Sequence, residues 1–414
     1  MPTIRRPRHP RPGSGRLLLA FSAAIVAGCA RDGGAVPATN ALDGATLGSA
    51  HRPPASSLRK ARPDGASCDL LYSFSDTPDG ARSQGGLTVL KGTLYGTTSA
   101  GGSDNAGTVF SSSTAGTEKV LYSFTGAPDA DSPMAGFIDV GGTLYGTTNN
   151  GGSHNDGAII TFAKGKEHVL YSFAGASDGQ NPEAALIKVG DTLYGTTSDG
   201  GSGAGGTVFS VTKTGVETPI YGFKGTPDGT ASRGGLVYYK GAFYGTTVGG
   251  GTAGAGTVFK VTPGGTETVL HSFTGQPDGA LPLGGLVEYK GSLYGTTSQG
   301  GVNNTGSVFK ITPSGTESVL YSFLSQNDAE TPYAGLIEVN GTFYGTTFSS
   351  TNQAGGPGVF SVTPAGVENQ LCNFPPSESA GAIAAPLVYF DGALYGTLYS
   401  GATHNEGGIF SVPL

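Results

Sequence analysis

The sequence predicts an all-β fold, a seven-bladed β-propeller with four antiparallel strands per blade. Three observations carry this. First, Leu94-Tyr95-Gly96-Thr97-Thr98 returns at 144–148, 193–197, 243–247, 293–297, 343–347 and 394–398, with starts spaced 50, 49, 50, 50, 50 and 51 residues; a period near 50 marks a propeller or an array. Second, each unit holds four short strand-like runs separated by turn residues. Third, the ends are offset. The run at 69–74 matches a fourth strand, Tyr72-Ser73-Phe74 corresponding to Tyr122-Ser123-Phe124, and the final run at 408–414 matches a third strand. The N-terminal strand therefore joins the C-terminal blade and leaves no free edge. A linear β-solenoid is the alternative, but its repeats are usually shorter.

In chain order, residues 1–28 read as a lipoprotein signal peptide. Arg5, Arg6, Arg8, Arg11 and Arg16 precede an apolar run at 17–27, too short for a lasting membrane span. The run ends in Val26-Ala27-Gly28-Cys29, which resembles the bacterial lipobox and makes Cys29 the expected lipidation site. Pro7 after Arg5-Arg6 argues against a twin-arginine signal, and Ala30 fits onward transfer to an outer membrane. Residues 29–67, rich in Ala, Gly, Pro and Ser, read as a flexible tether with a reach of about 35 Å. The propeller is expected over 68–414.

The unit at 234–273 is typical. Gly-Gly-Leu-Val-Tyr-Tyr at 234–239 reads as strand one, Lys240-Gly241 as a two-residue hairpin turn, and 242–247 as strand two. A Gly-rich loop leads to strand three at 256–261, and Thr262-Pro263-Gly264-Gly265 turns into strand four at 267–273. Strand one opens on a small pair every time: Gly85-Gly86, Ala135-Gly136, Ala184-Ala185, Gly234-Gly235, Gly284-Gly285, Ala334-Gly335 and Ala384-Ala385. Crowding at the axis explains this. Blades stack face to face, so both faces of the middle strands are apolar, as at Leu144 and Tyr145. Glu118, Glu167, Glu217, Glu267, Glu317 and Glu368 open the outer strands and read as charges guarding an outer edge.

Antiparallel order places the short turns on one face. The 2–3 loops and the blade-to-blade connections share the other, where function concentrates. Candidate ligand-binding residues on these loops are Asp104, Asn105, His154, Asn155, Asp156, Asn303, Asn304, His404, Asn405 and Glu406. Asp79, Asp129, Asp178, Asp228, Asp278 and Asp328 recur once per connection; a calcium ion per blade is conceivable, but Pro-Asp-Gly reads better as a turn whose Asp bonds the local backbone. His154 and His404 sit too far apart in the ring to share an ion. The glycines at 201–206 match a dinucleotide-binding spelling but open no helix. Cys68 and Cys372 are a candidate disulfide in an oxidising envelope, although diverging outer strands are expected to hold them apart unless the chain bends before Asp69.

Glycine is 73 of 414 residues, far above the usual ~7%, without a three-residue period, so collagen is excluded and turns account for it. The net charge is -7, and the basic residues crowd the N-terminus, so the body is acidic and lacks the footprint of a nucleic-acid binder.

The series Gly-x-Leu/Phe-Tyr-Gly-Thr-Thr, Gly-Gly, Gly-Thr-Val-Phe-Lys-Val-Thr-Pro-x-Gly-Thr-Glu and Val-Leu-Tyr-Ser-Phe over 69–414 resembles the Gloeo/Verruco (GloVer) tandem repeat of bacterial choice-of-anchor proteins. Blade seven departs at Leu398 and at Ser400-Gly401-Ala402, and blade six at Cys372-Asn373. The resemblance implies a surface-attached protein and carries over no catalytic residues. The expectation is a monomeric, lipid-anchored binding module of the cell envelope, with its site on the long-loop face, a cell-surface protein or glycan as partner, and no cofactor or metal. The alternatives are an enzyme acting on extracellular polysaccharide at the axial mouth, for which Arg82, Glu183, Arg233, His154 and Glu406 are the scattered breaks in symmetry, and a purely structural envelope protein.

Overall fold

The computed structural model describes residues 68–324, 330–349, 357–374 and 382–414. The signal peptide at 1–28, Cys29, the tether to residue 67 and Asp328 lie outside the described residues. Seven antiparallel sheets follow one another, each with four strands in blade order, and in blade six Glu330–Pro332 adds a fifth. In blade four these are Val237–Tyr239, Ala242–Thr247, Thr257–Val261 and Glu267–Ser272. The seventh sheet takes its outer strand, Asp69–Ser73, from the N-terminus, paired with Gly408–Pro413. The circle therefore closes as the offset ends require.

The recurrent Tyr-Gly-Thr-Thr phrase has a structural cause at each letter. A Cβ on Gly245 would lie 2.5 Å from Phe259 Cζ, so glycine leaves room for the strand-three ring to lie across it. Leu236 completes that contact. Blade two swaps the two volumes, with Phe137 for the Leu and Ile160 for the Phe, and keeps the glycine filled. In six copies the first Thr hydroxyl donates to a backbone carbonyl of the next blade, as Thr246 does to Gly284 at 2.9 Å and Thr397 to Gly85 at 3.3 Å, while Thr196 lacks this partner. The second stays within its blade: Thr247 Oγ1 meets Thr257 Oγ1 at 2.7 Å, and Thr197 meets Thr207 at 2.9 Å. Side-chain hydroxyls thus satisfy buried polar groups within and between sheets.

The core is divided among the seams rather than gathered at one centre. Seven buried apolar clusters each draw on two adjacent blades. Across six seams the Phe ending strand four meets the strand-three Phe of the next blade edge-on, as in Phe223–Phe259 at 4.9 Å between centroids. Edge-to-face pairs of this kind add about 0.5–1.5 kcal/mol beyond area burial.

Three expectations need correction. Strand one is three residues long, not six; at 234–236 the backbone instead runs against its neighbours around the axis, where a Cβ on Gly234 would lie 2.7 Å from the Gly284 backbone. In blade seven the small pair is Ala385-Pro386, one residue later than expected: Thr346 donates to Ala385 O, and Pro386 packs on Gly86. Finally, Cys68 and Cys372 are bonded, with Cα atoms 5.4 Å apart. The outer strands do not diverge here because Cys68 stands four residues before Tyr72, where Glu118 stands before Tyr122, and Cys372 takes the Tyr place. In the other seams these two positions already face one another.

Candidate functional site

The connections and 2–3 loops do share one face. Gly80-Ala81 pairs with Ala100-Gly101, and Gly229-Thr230 with Gly249-Gly250, in small two-stranded sheets. Each connection then dives to the axis and presents one side chain just before the small pair. Those residues are Gln84, Met134, Glu183, Arg233, Leu283, Tyr333 and Ala384, and together they ring an axial cavity of about 310 Å³. Seven equivalent positions thus carry seven different residue types, in a molecule that otherwise repeats itself.

Three of them interact. Arg233 Nε lies 3.3 Å from Glu183 Oε2, yet this N–H is buried without a hydrogen-bond partner. Burial pushes the Glu183 carboxyl up, against the opposing pull of Arg233 and a Ser198 hydrogen bond. Tyr333 is pushed up by burial too, with Arg233 opposing. Tyr333 also stacks on Phe348 at 5.0 Å, and Tyr399 extends the aromatic row at 6.5 Å from Phe348. The mouth therefore offers an oriented guanidinium, a buried carboxyl and a phenol beside apolar Met134 and Leu283. Glu183 and Arg233, scattered in sequence, are brought together here. Arg82 and Glu406 form a separate pair at 4.0 Å.

None of the ten loop candidates lines this cavity. Asn105, Asn155, Asn304 and Asn405 have positive φ, and each side-chain oxygen accepts from a loop glycine N–H, at 2.9 to 3.2 Å. They close their own loops. Asp104 accepts from Ser103, His154 pairs with Ser153, His404 with Ser73, and Asn303 reaches Phe323 O. Asp156 O accepts from Asn181 N, and Glu406 O from Arg82 N. The signal for the axial set was a single column of the repeat, the residue before each small pair.

The outer-strand glutamates face the seams rather than guarding an outer edge. Glu118 lies beside Asp79 and Tyr72 of the preceding blade, and Glu217 beside Asp178 and Tyr171. One oxygen each of Glu118, Glu167, Glu217, Glu267 and Glu317 is sealed from solvent without a hydrogen-bond partner. Burial, reinforced by the nearby Asp, pushes Glu118, Glu217 and Glu267 up to about 7 and Glu167 to about 8. Among the described residues the Asp of the connections holds its turn as expected. Asp79 Oδ2 accepts from Ser75 N at 3.0 Å and from the Tyr72 hydroxyl at 2.9 Å, and Asp129 and Asp228 repeat the pattern.

The sequence matches the model of the Gloeobacter/Verrucomicrobia repeat over residues 16–209 and 183–410, and the chain belongs to that family. A comparison with curated proteins returned no match. Among solved structures the fold is similar to PorZ, a bacterial surface component of the type-IX secretion system of Porphyromonas gingivalis, with a TM-score of 0.50 and 14% identity over 79% of this chain and 46% of that one. The chain thus spans about half the length of PorZ. It also overlaps a gluconolactonase from Xanthomonas campestris, with a TM-score of 0.41 and 14% identity over 85% of this chain and 99% of the other.

Proposed function

We propose that this member of the Gloeobacter/Verrucomicrobia repeat family is a binding module of the bacterial cell envelope, held there through Cys29, whose ligand seats at the axial mouth of the long-loop face. The supporting observation is the ring of seven unlike side chains around a cavity of about 310 Å³, a size at the small end of ligand pockets. A repeat protein that needed only a rigid ring has no use for such variety at one column. The unsatisfied Arg233 N–H, the Tyr333 phenol and the Glu183 carboxyl suit a neutral, hydroxyl-rich group, and the apolar wall suits its flat face. One sugar residue of an envelope glycan has this chemistry. PorZ, described as a bacterial surface component, agrees with the proposed location.

Hydrolysis of the glycan is the weaker reading. Among the described residues Glu183 is the one carboxylate on the cavity wall, and glycoside hydrolysis in its usual form needs a pair. The test is a glycan array with residues 68–414, followed by titration of each hit against Arg233→Ala and Glu183→Ala. Binding that survives both substitutions unchanged removes the axial mouth as the site. Release of reducing sugar by the unmodified protein restores the enzymatic reading.

A further inference from the structure

Between blades four and five the seam differs from its neighbours. The four other seams whose Asp is described present a Tyr–Asp–Glu set: Tyr72, Asp79 and Glu118; Tyr122, Asp129 and Glu167; Tyr171, Asp178 and Glu217; Tyr221, Asp228 and Glu267. Each phenol is pushed up by burial and by its acidic neighbours. It keeps its proton, donates it to the Asp, and as a neutral phenol is a weak ligand for a cation. In the fourth-to-fifth seam the set is His271, Asp278 and Glu317. One ligand atom from each lies within 4.8 Å of the others. His271 Nε2 is 3.1 Å from Asp278 Oδ2 and 3.4 Å from Oδ1.

We propose that His271, Asp278 and Glu317 form a site for one divalent transition ion, with Zn²⁺ as the probe. The imidazole is what distinguishes this seam, since a neutral ring nitrogen binds a transition ion far better than a phenol that keeps its proton. Glu317 Oε1, like its counterparts Glu118, Glu167, Glu217 and Glu267, is sealed from solvent and has no hydrogen-bond partner, and only here does an imidazole stand beside it. A cation coordinated there gives that oxygen the partner it lacks. Thr274 N donates to Asp278 Oδ2 at 3.0 Å and steadies the second ligand. One nitrogen and two carboxylate oxygens match the three-protein-ligand zinc pattern. Calcium and magnesium prefer all-oxygen shells, so the imidazole selects against them. The ligands come from the outer strand of blade four (Glu267–Ser272), the following connection and the outer strand of blade five (Glu317–Ser322). A bound ion therefore clamps two blades at the rim, remote from the axial cavity.

His271→Tyr is the decisive variant, because it writes the neighbouring seams' residue into this one and so retains the fold. Tag-free, metal-stripped protein is titrated with Zn²⁺ and with Mg²⁺ by calorimetry, and a zinc-soaked crystal is measured at the zinc absorption edge. The expected result is one Zn²⁺ per chain, no response to Mg²⁺, an anomalous peak between blades four and five, and affinity weakened at least about tenfold in both His271→Tyr and Glu317→Gln. Absence of zinc binding by the unmodified protein overturns the proposal. So does affinity in both variants unchanged from that of the unmodified protein, which would assign the ion to exposed histidines such as His154 and His404.

Discussion

Replacing Cys68 and Cys372 with serine opens the one covalent link across the ring, and its effect can be worked from the chain. The two residues are 304 apart in sequence. For a loop of that length the chain-entropy relation gives about 19 cal/mol/K, or roughly 5–6 kcal/mol at 25 °C, as the most the bond can withhold from the unfolded state. Unfolding about 350 residues carries an entropy near 0.7 kcal/mol/K, so the full effect lowers the melting temperature by about 8 °C. Native disulfides in smaller domains deliver about 2–5 kcal/mol, which sets the expected fall at about 3–7 °C. Scanning calorimetry of the oxidised protein and of the doubly substituted one, without reductant, measures it. Cys68→Glu with Cys372→Tyr serves as a companion, since it rebuilds the side-chain pair of the other seams and should recover part of the loss. A fall below about 1 °C would refute the reasoning, because the Asp69–Ser73 strand would then hold the ring shut unaided.

Stability should decline as pH rises from about 4.5 to about 8. Glu118, Glu167, Glu217 and Glu267 hold protons in the folded state up to about 7 or 8, while the unfolded chain releases them near the ordinary 4.5, so their contribution is complete below that value and lost above the folded one. Urea melts at pH 5 and pH 8 test the sign, and Glu167→Gln should flatten the difference. Gly245→Ala drives a methyl into Phe259 and should cost about 1–3 kcal/mol; Gly146→Ala, where the nearest ring atoms lie 2.9 Å away, should cost less in parallel denaturant titrations. Thr247→Val strips Thr257 of its partner and leaves buried polar groups unpaired, a loss of about 1–3 kcal/mol by the same assay. Labelled palmitate should enter the full chain in its host and be absent from Cys29→Ala.

Closure was legible because Tyr72-Ser73-Phe74 copies a fourth strand so faithfully that only one partner fits it. Strand one was over-read because Gly-Gly-Leu is apolar and strand-like, while its pairing is set by neighbouring blades at the axis, which no local pattern encodes. The loop Asn residues look like ligands in sequence, yet their left-handed backbone uses the side-chain oxygen at home. Only Glu183 and Arg233 of the axial set were legible, as breaks in symmetry; the rest escaped because its members share a column and nothing else, Gln84 and Tyr333 resembling each other only in preceding a small pair. The disulfide was nearer to hand. Counting four residues back from Tyr72, as from Tyr122, would have put Cys68 on the Glu position and opposite Cys372.

The place of Cys68 has a mechanical consequence. It lies immediately upstream of the closing strand, so any tension arriving from earlier in the chain reaches the sulfur first. The load then passes sideways into Cys372 and blade six, and the hydrogen bonds of Asp69–Ser73 to blade seven are spared. Without the bond the same pull would unzip that strand one pair at a time. A ring tugged by its leading end would here hang from a rivet rather than from its latch.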